Sequence, residues 1–245
     1  MKDEDKEPQK MILSETTIGP CRLIHGDCRA IIPTLQFDAL ISDPPYGIAF
    51  QYGAGGRGIV DARHSRTCKI IGDEKPFDAS HLMAIALKDS KFGKNNPGSI
   101  PVAVMGANHY CSYIPAGGTW FTWDKSCGMG SAVSFADAEI GWCNRRSGRN
   151  IFRHFWMGAL RSGRGNQGKQ LRKHVSEKPV ELMEYMMNLA RVGIGKIVLD
   201  PYMGSASTGV ACMLTGRQFI GIEIDEQIYQ DACQRLHEEW AIISS

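Results

Sequence analysis

Two consecutive prolines flanked by an acid and an aromatic, Asp43-Pro44-Pro45-Tyr46, close the run Phe37-Asp38-Ala39-Leu40-Ile41-Ser42. Each proline fixes φ and lacks an N–H, so neither can extend a central strand or enter a helix interior. The residue before a proline is also held away from the helical region. The preceding run therefore reads as a short buried strand, and the four residues after it as a stiff loop at the strand's carboxyl end. Such a loop presents a carboxylate, a carbonyl oxygen with no local donor to quench it, and a ring face on one rigid platform. That set suits a flat base whose exocyclic amine must be held and stacked.

The rest of the chain alternates between strand and helix patterns. Arg22-Leu23-Ile24-His25 reads as a strand ending at Gly26-Asp27, with a short helix near 28–32. Residues 47–77 are rich in Gly and Arg without apolar periodicity and read as a long loop. A helix over 78–90 is capped by Asp78 or Ser80. Gly117 to Trp123 reads as a buried strand, with weaker strands near 138–143 and 150–157. Pro179 sits in the first turn of a helix running to about Arg191, where its missing N–H costs nothing. Positions 182, 183, 186, 187 and 190 of that segment are apolar, which is a helical period. Lys196 to Leu199, 206–215, Gln218 to Ile224 and 225–240 then read as strand, helix, strand, helix. The alternation implies an α/β fold, a mixed, mostly parallel sheet flanked by helices. The 245 residues suit one domain over 19–245 behind a disordered leader at 1–18.

A second constellation is Asp200-Pro201-Tyr202-Met203-Gly204-Ser205-Ala206-Ser207-Thr208-Gly209. A strand ends, a tight Gly/Ser turn follows and a helix begins, which exposes backbone N–H groups beside any ligand at the strand's carboxyl end. Gly204 and Ser205 allow close approach. Glu223 comes 19 residues after Gly204, near the ~20 expected of an acid that grips ribose hydroxyls. The turn lacks G-x-G-x-x-G, and Asp200 at its start repels phosphate. It suits a cationic ligand such as S-adenosylmethionine.

Together the two constellations resemble the amino-group DNA methyltransferases, over roughly residues 21–47 and 117–240. These enzymes transfer a methyl group from S-adenosylmethionine to adenine N6 or cytosine N4. The resemblance implies a Rossmann-like S-adenosylmethionine-dependent methyltransferase fold. The catalytic loop comes first and the cofactor turn last, a circularly permuted order that resembles the beta class. In that family the Asp200 turn, with Pro201, Met203, Gly204, Ser205 and Ser207, cradles the methionine part of the cofactor. Glu223, with Ile224 beside it, binds the ribose. The Gly26-Asp27 turn, followed by Cys28, resembles the element whose acid accepts from the cofactor's adenine amine. His174-Val175-Ser176-Glu177-Lys178-Pro179 resembles the segment that closes over the methionine end, where Lys178 reaches the methionine carboxylate. Asp rather than Ser at the first loop position leans toward adenine.

The chemistry follows from the amine. Its lone pair is delocalised into the ring, and accepting hydrogen bonds from both its N–H groups frees that pair. Asp43, which also borders the cofactor, takes one N–H and the Pro44 carbonyl the other. Pro45 stiffens the loop, and Tyr46 stacks on the base. A base inside a duplex must be flipped out, and phosphate contacts help to offset that cost. Residues 145–173 carry nine Arg or Lys and no acid. Arg161, Arg164, Lys169 and Arg172 are the expected DNA contacts there, with Arg57, Arg63 and Arg66 in the loop after Tyr46. Both stretches are expected to be recognition insertions. The resemblance implies double-stranded DNA as partner and is compatible with a homodimer and a cognate restriction endonuclease.

Other readings are excluded more simply. A net charge of +2 does not by itself call for a polyanion. No apolar run approaches the roughly eighteen residues of a membrane span, and Met1 to Lys10 is too polar for a signal peptide. Eight cysteines without a C-x-x-C pair fit free thiols in a reducing cytoplasm. His64 with Cys68, and His109 with Cys111, lack a second ligand pair, so no metal is expected. Cys21 after Pro20 mimics the nucleophile of cytosine-C5 enzymes, but the Asp43 loop serves a different reaction. Trp120, Trp123 and Trp156 read as packing residues.

Overall fold

A computed structural model describes residues 12–49, 70–87, 99–128, 136–157, 160–161 and 177–245. In chain order the strands and helices are β1 (Ile12–Ile18), β2 (Cys21–Gly26), α1 (Cys28–Ile31), β3 (Ala39–Ser42), α2 (Ser80–Leu87), β4 (Val102–Met105), β5 (Thr119–Asp124) and β6 (Ala138–Cys143). There follow β7 (Ile151–Arg153), β8 (Trp156–Met157), β9 (Leu160–Arg161), α3 (Val180–Leu189), β10 (Ile197–Asp200), α4 (Ser207–Leu214), β11 (Gln218–Glu223) and α5 (Glu226–Ile243). One sheet takes the order β1-β2-β11-β10-β3-β4-β6-β5-β7. Strands β2, β11, β10, β3 and β4 run parallel, and β6 is antiparallel to both β4 and β5.

Parallel strands need both faces covered. One face packs on Leu182, Met183, Met186 and Met187 of α3 and on apolar residues of α4 and α5. The other packs on Leu82 and Met83 of α2, with Ile31 of α1. The helical period read over α3 is its buried face: all five apolar positions, Leu182, Met183, Met186, Met187 and Ala190, are buried. No helix among the described residues is long and apolar enough to cross a membrane. The seven cysteines within them carry free thiols.

Several expectations are corrected. The leader does not extend to residue 18, because Ile12–Ile18 pairs antiparallel with β2. Its polar run, Ser14 to Thr17, suits an edge strand, which is open to solvent along one side. Residues 145–173 are not wholly an insertion, since Ile151–Arg153 pairs with β5 in the main sheet. The strand from Thr119 is only half buried: Trp120 is 43% exposed, whereas Trp123 is buried. Pro179 caps α3 from outside the helix, with φ −59° and ψ 139°. Strand β4 has no counterpart in the sequence reading, although its apolar run lies between Pro101 and Gly106.

Candidate active site

Because the central strands are parallel, their carboxyl ends converge, and each expected site element lies at one of them. Asp43 follows β3, the 200–207 turn follows β10, Glu223 ends β11 and Asp27 follows β2. Strand β6 runs the other way, so its beginning, Ala138-Glu139, arrives at the same end.

The cofactor turn is tightly framed. Asp200 is 3% exposed. Its Oδ1 accepts from Ser42 Oγ (2.7 Å) and the Tyr202 N–H (3.2 Å), and its Oδ2 from Thr208 Oγ1 (2.6 Å). Burial pushes its pKa up to about 6, against the pull of these donors. The carboxylate thus ties the residue before Asp43 to the turn. A buried strand end directs the side chain between β3 and α4. Glu223 accepts from the backbone N–H groups of Gly204 (3.1 Å), Ile224 (2.9 Å) and Asp225 (2.9 Å). Gly204 has φ +50°, and a Cβ there would meet nothing within 4 Å, so the turn opens onto space. Met203 is buried against Gly221. Asp27 caps α1 by accepting from the Arg29 N–H (2.9 Å). His25 Nε2 lies 3.2 Å from the Ile224 carbonyl, which fastens the Asp27 and Glu223 corners together. Cys28 is buried, and burial pushes its thiol up to about 11.

A charged cluster surrounds the catalytic loop. Asp43 Oδ1 accepts from the Tyr46 hydroxyl (2.7 Å), and Asp43 Oδ2 lies 2.9 Å from Lys178 Nζ. Lys178 Nζ is also 3.2 Å from Glu139 Oε2, whose other oxygen is 3.0 Å from Lys125 Nζ. The Tyr46 hydroxyl is 3.1 Å from Glu139 as well. Two acids and two lysines alternate, so buried charge is compensated locally. Burial raises the Asp43 pKa and the adjacent Lys178 opposes it. Burial alone would raise Glu139 too, but Lys178 and Lys125 outweigh it and hold that carboxyl at about 2. For Lys178 burial favours loss of the proton, and Asp43 and Glu139 overcome it, so the ammonium stays charged.

The Tyr46 ring stacks on His109 with centroids 4.9 Å apart at 13°. Gly106, at φ +66°, lies so close that a Cβ would overlap the Tyr46 ring. Asp73 braces the loop from behind: its Oδ1 accepts from the N–H groups of Tyr46 (3.0 Å), Gly47 (2.7 Å) and Ile48 (3.3 Å). Among the described residues no donor reaches the Pro44 carbonyl, which stays open as an acceptor.

Arg235, 8% exposed on α5, joins the two halves. Its Nη1 lies 2.8 Å from the Ser205 carbonyl, 3.1 Å from Ser205 Oγ and 3.2 Å from Ser207 Oγ, and its Nη2 lies 3.4 Å from Glu177. Ser207 Oγ donates to the Lys178 carbonyl (2.8 Å).

Asp43, Pro44, Tyr46, Lys178 and the 200–207 turn are therefore brought together as expected. The Lys178 ammonium, however, sits on Asp43. The sequence reading gives Glu139, Lys125, Asp73 and Arg235 no site role, and it names His109 only beside Cys111 as an incomplete metal pair. Only the Gly106 spacing after an apolar run could have flagged the His109 corner. Cys21 is fully buried and burial pushes its thiol up to about 12, which leaves no nucleophile there. Arg57, Arg63, Arg66, Arg164, Lys169 and Arg172, with the side chain of Arg161, lie outside the described residues.

The family profile described as DNA methylase matches residues 119–234. The putative methylase YubD of Escherichia coli (strain K12) is 43% identical over 230 residues, 88% of this chain and 89% of that protein. The type II methyltransferase M2.LlaDCHI of Lactococcus lactis subsp. cremoris is 34% identical over 254 aligned residues, again 88% and 89%. Among solved structures, that of the M1.HpyAVI–SAM complex aligns with a TM-score of 0.54 at 23% identity, covering 88% of this chain and 98% of that one. The chain belongs to the N6/N4 DNA methylase family, with the α/β fold of S-adenosylmethionine-dependent methyltransferases. S-adenosylmethionine is its methyl donor.

Proposed function

We propose that this enzyme methylates adenine N6 in double-stranded DNA, acting on a base flipped out of the duplex. The observation that carries this reading is the Asp43 loop itself. A half-buried carboxylate and an open Pro44 carbonyl stand side by side, and Ser42 and Asp200 tie them to the cofactor turn. The amine donates one N–H to Asp43 and the other to Pro44, which exposes its lone pair to the methyl group. S-adenosylmethionine held at the turn would supply the methyl group, its S–C bond breaking as the N–C bond forms and S-adenosylhomocysteine leaving, and Asp43 is the residue beside the amine that would take the proton released afterwards. Tyr46 packs against the base.

For the cofactor, Gly204 and Ser205 border the methionine part, Glu223 and Ile224 the ribose, and Asp27 and Cys28 the adenine end. The residues present fit this group: the turn opens onto space at Gly204, and acids stand where hydroxyl and amine donors arrive. Support for adenine comes from Asp at the first loop position, as the family resemblance has it.

Methyl transfer from labelled S-adenosylmethionine to duplex DNA, followed by nucleoside mass analysis, is the test. N6-methyladenine is expected. N4-methylcytosine would move the enzyme to the other branch of the family, and label in neither base would remove the reading.

A further inference from the structure

The opposite ends of the strands carry a second charged feature. A cleft of about 610 Å³ is lined by Arg146, Arg149 and Arg191, with Ser147 and the Gly117–Thr119 turn. No carboxylate lines it. Two independent rulers place it away from Asp43. Thr119 pairs with Cys143 at the cleft end of β5 and β6, while Trp123 pairs with Glu139 at the catalytic end. Four residues of strand make roughly 13 Å. Helix α3 starts just after Lys178, and Arg191 lies two residues beyond its end at Leu189. Its ten residues at helical rise make roughly 15 Å.

The cleft concentrates like charge. Arg145 stands beside it, held by Ser99 Oγ (2.7 Å) and the Ser99 carbonyl. Burial, and then the Arg191 charge, press on the Arg145 guanidinium. Arg191 Nη2 donates to the Arg146 carbonyl (3.3 Å), which brings the two residues together. No carboxylate among the described residues pairs with the guanidinium of Arg146 or Arg149. A Cβ on Gly148 would meet nothing within 4 Å, so a ligand has room to approach. The neighbouring Arg146 and Arg149 guanidinium groups, in a cleft that no carboxylate lines, match the geometry of phosphate oxygens.

We infer that this cleft is a second, sequence-independent contact for the phosphodiester backbone of DNA, on a stretch other than the one over Asp43. The inference rests on DNA as the substrate polymer. Its value to a methylase is retention: DNA held at the far end keeps the enzyme on the polymer between target sites.

The test is an Arg146→Glu/Arg149→Glu variant, with Arg146→Gln/Arg149→Gln as a milder form and thermal melting to establish folding. On a duplex of about four helical turns, the log–log salt dependence of binding should flatten by about 0.9 per contact, hence about 1.8. Methylation of a duplex of about one turn should stay within about twofold, a factor that is under 0.5 kcal/mol. An unchanged salt slope in both folded variants overturns the inference. A matching fall of transfer on the short duplex also overturns it, since the arginines would then serve the target-base face. Loss of inorganic phosphate binding without a change in long-duplex slope would identify a small-anion site instead. A wild-type protein that methylates no DNA would defeat the parent reading, which is a distinguishable failure.

Discussion

The Lys178 ammonium lies 2.9 Å from the Asp43 carboxylate. The same residue gives its carbonyl to Ser207 of the cofactor turn. One residue therefore joins the 200–207 turn to the Asp43 loop, the two elements proposed to hold the methyl donor and the target amine. Its charge opposes the upward push that burial gives the Asp43 pKa, and an ionised carboxylate is the stronger hydrogen-bond acceptor.

Lys178→Met should lower kcat by about 10² or more, in the range seen when one transition-state partner is lost. It should also move the acid limb of the pH–rate profile to higher pH. The sign is fixed: removing the positive charge raises the Asp43 pKa, so more base is needed to keep the acceptor ionised. Rate profiles of both proteins would show it. An unmoved limb would mean that Lys178 does not set the state of Asp43.

Asp43→Ala should cost about 10²–10³ in transfer while S-adenosylmethionine binding survives, measured by calorimetry. Tyr46→Phe keeps the ring and loses the hydroxyl contacts to Asp43 and Glu139. It should retain far more activity than Tyr46→Ala. Equal activity in the two Tyr46 variants would remove the ring from base binding.

Glu139→Gln leaves Lys178 and Lys125 undercompensated and should destabilise the fold by about 3–5 kcal/mol at neutral pH, as when a buried pair is broken. Because Glu139 is held at about 2, below its usual 4.5, its contribution is fully present above pH 4.5. It is lost as pH falls toward 2. The stability gap between wild type and variant should therefore narrow over that window in denaturation experiments. A gap that is constant with pH would contradict the charge assignment.

Arg235→Met should raise KM for S-adenosylmethionine more than it lowers kcat, since Arg235 acts through Ser205, Ser207 and Glu177. Arg235→Lys should recover part of the loss. Glu223→Ala frees three backbone N–H groups and should weaken cofactor binding by roughly 1–3 kcal/mol. If titration shows unchanged cofactor affinity in both, these residues do not shape the turn.

The parts legible in the sequence are those decided by local covalent chemistry and period. Pro44 and Pro45 end a strand in any context, the Gly204 turn needs no distant partner, and Leu182, Met183, Met186 and Met187 share a helical face before anything packs on it. Val102–Met105 escaped because four apolar residues carry no period that separates strand from helix. The fate of each charged residue is different in kind. Glu139, Arg235 and Asp73 have the composition of solvated surface, and Arg146 has the same charge as any DNA-contacting arginine. Whether such a group is buried and paired, or lies at the far end of the sheet, depends on elements that meet only after folding. Glu139 reaches Tyr46 across 93 residues and Arg235 reaches Ser205 across 30. The stiff Asp43-Pro44-Pro45-Tyr46 loop, the Gly204 turn and their order along the chain can be read before anything folds. The tertiary structure alone decided that Lys178 stands on Asp43 between two acids, because burial and Coulomb interaction depend on distances in space and on nothing the chain spells locally.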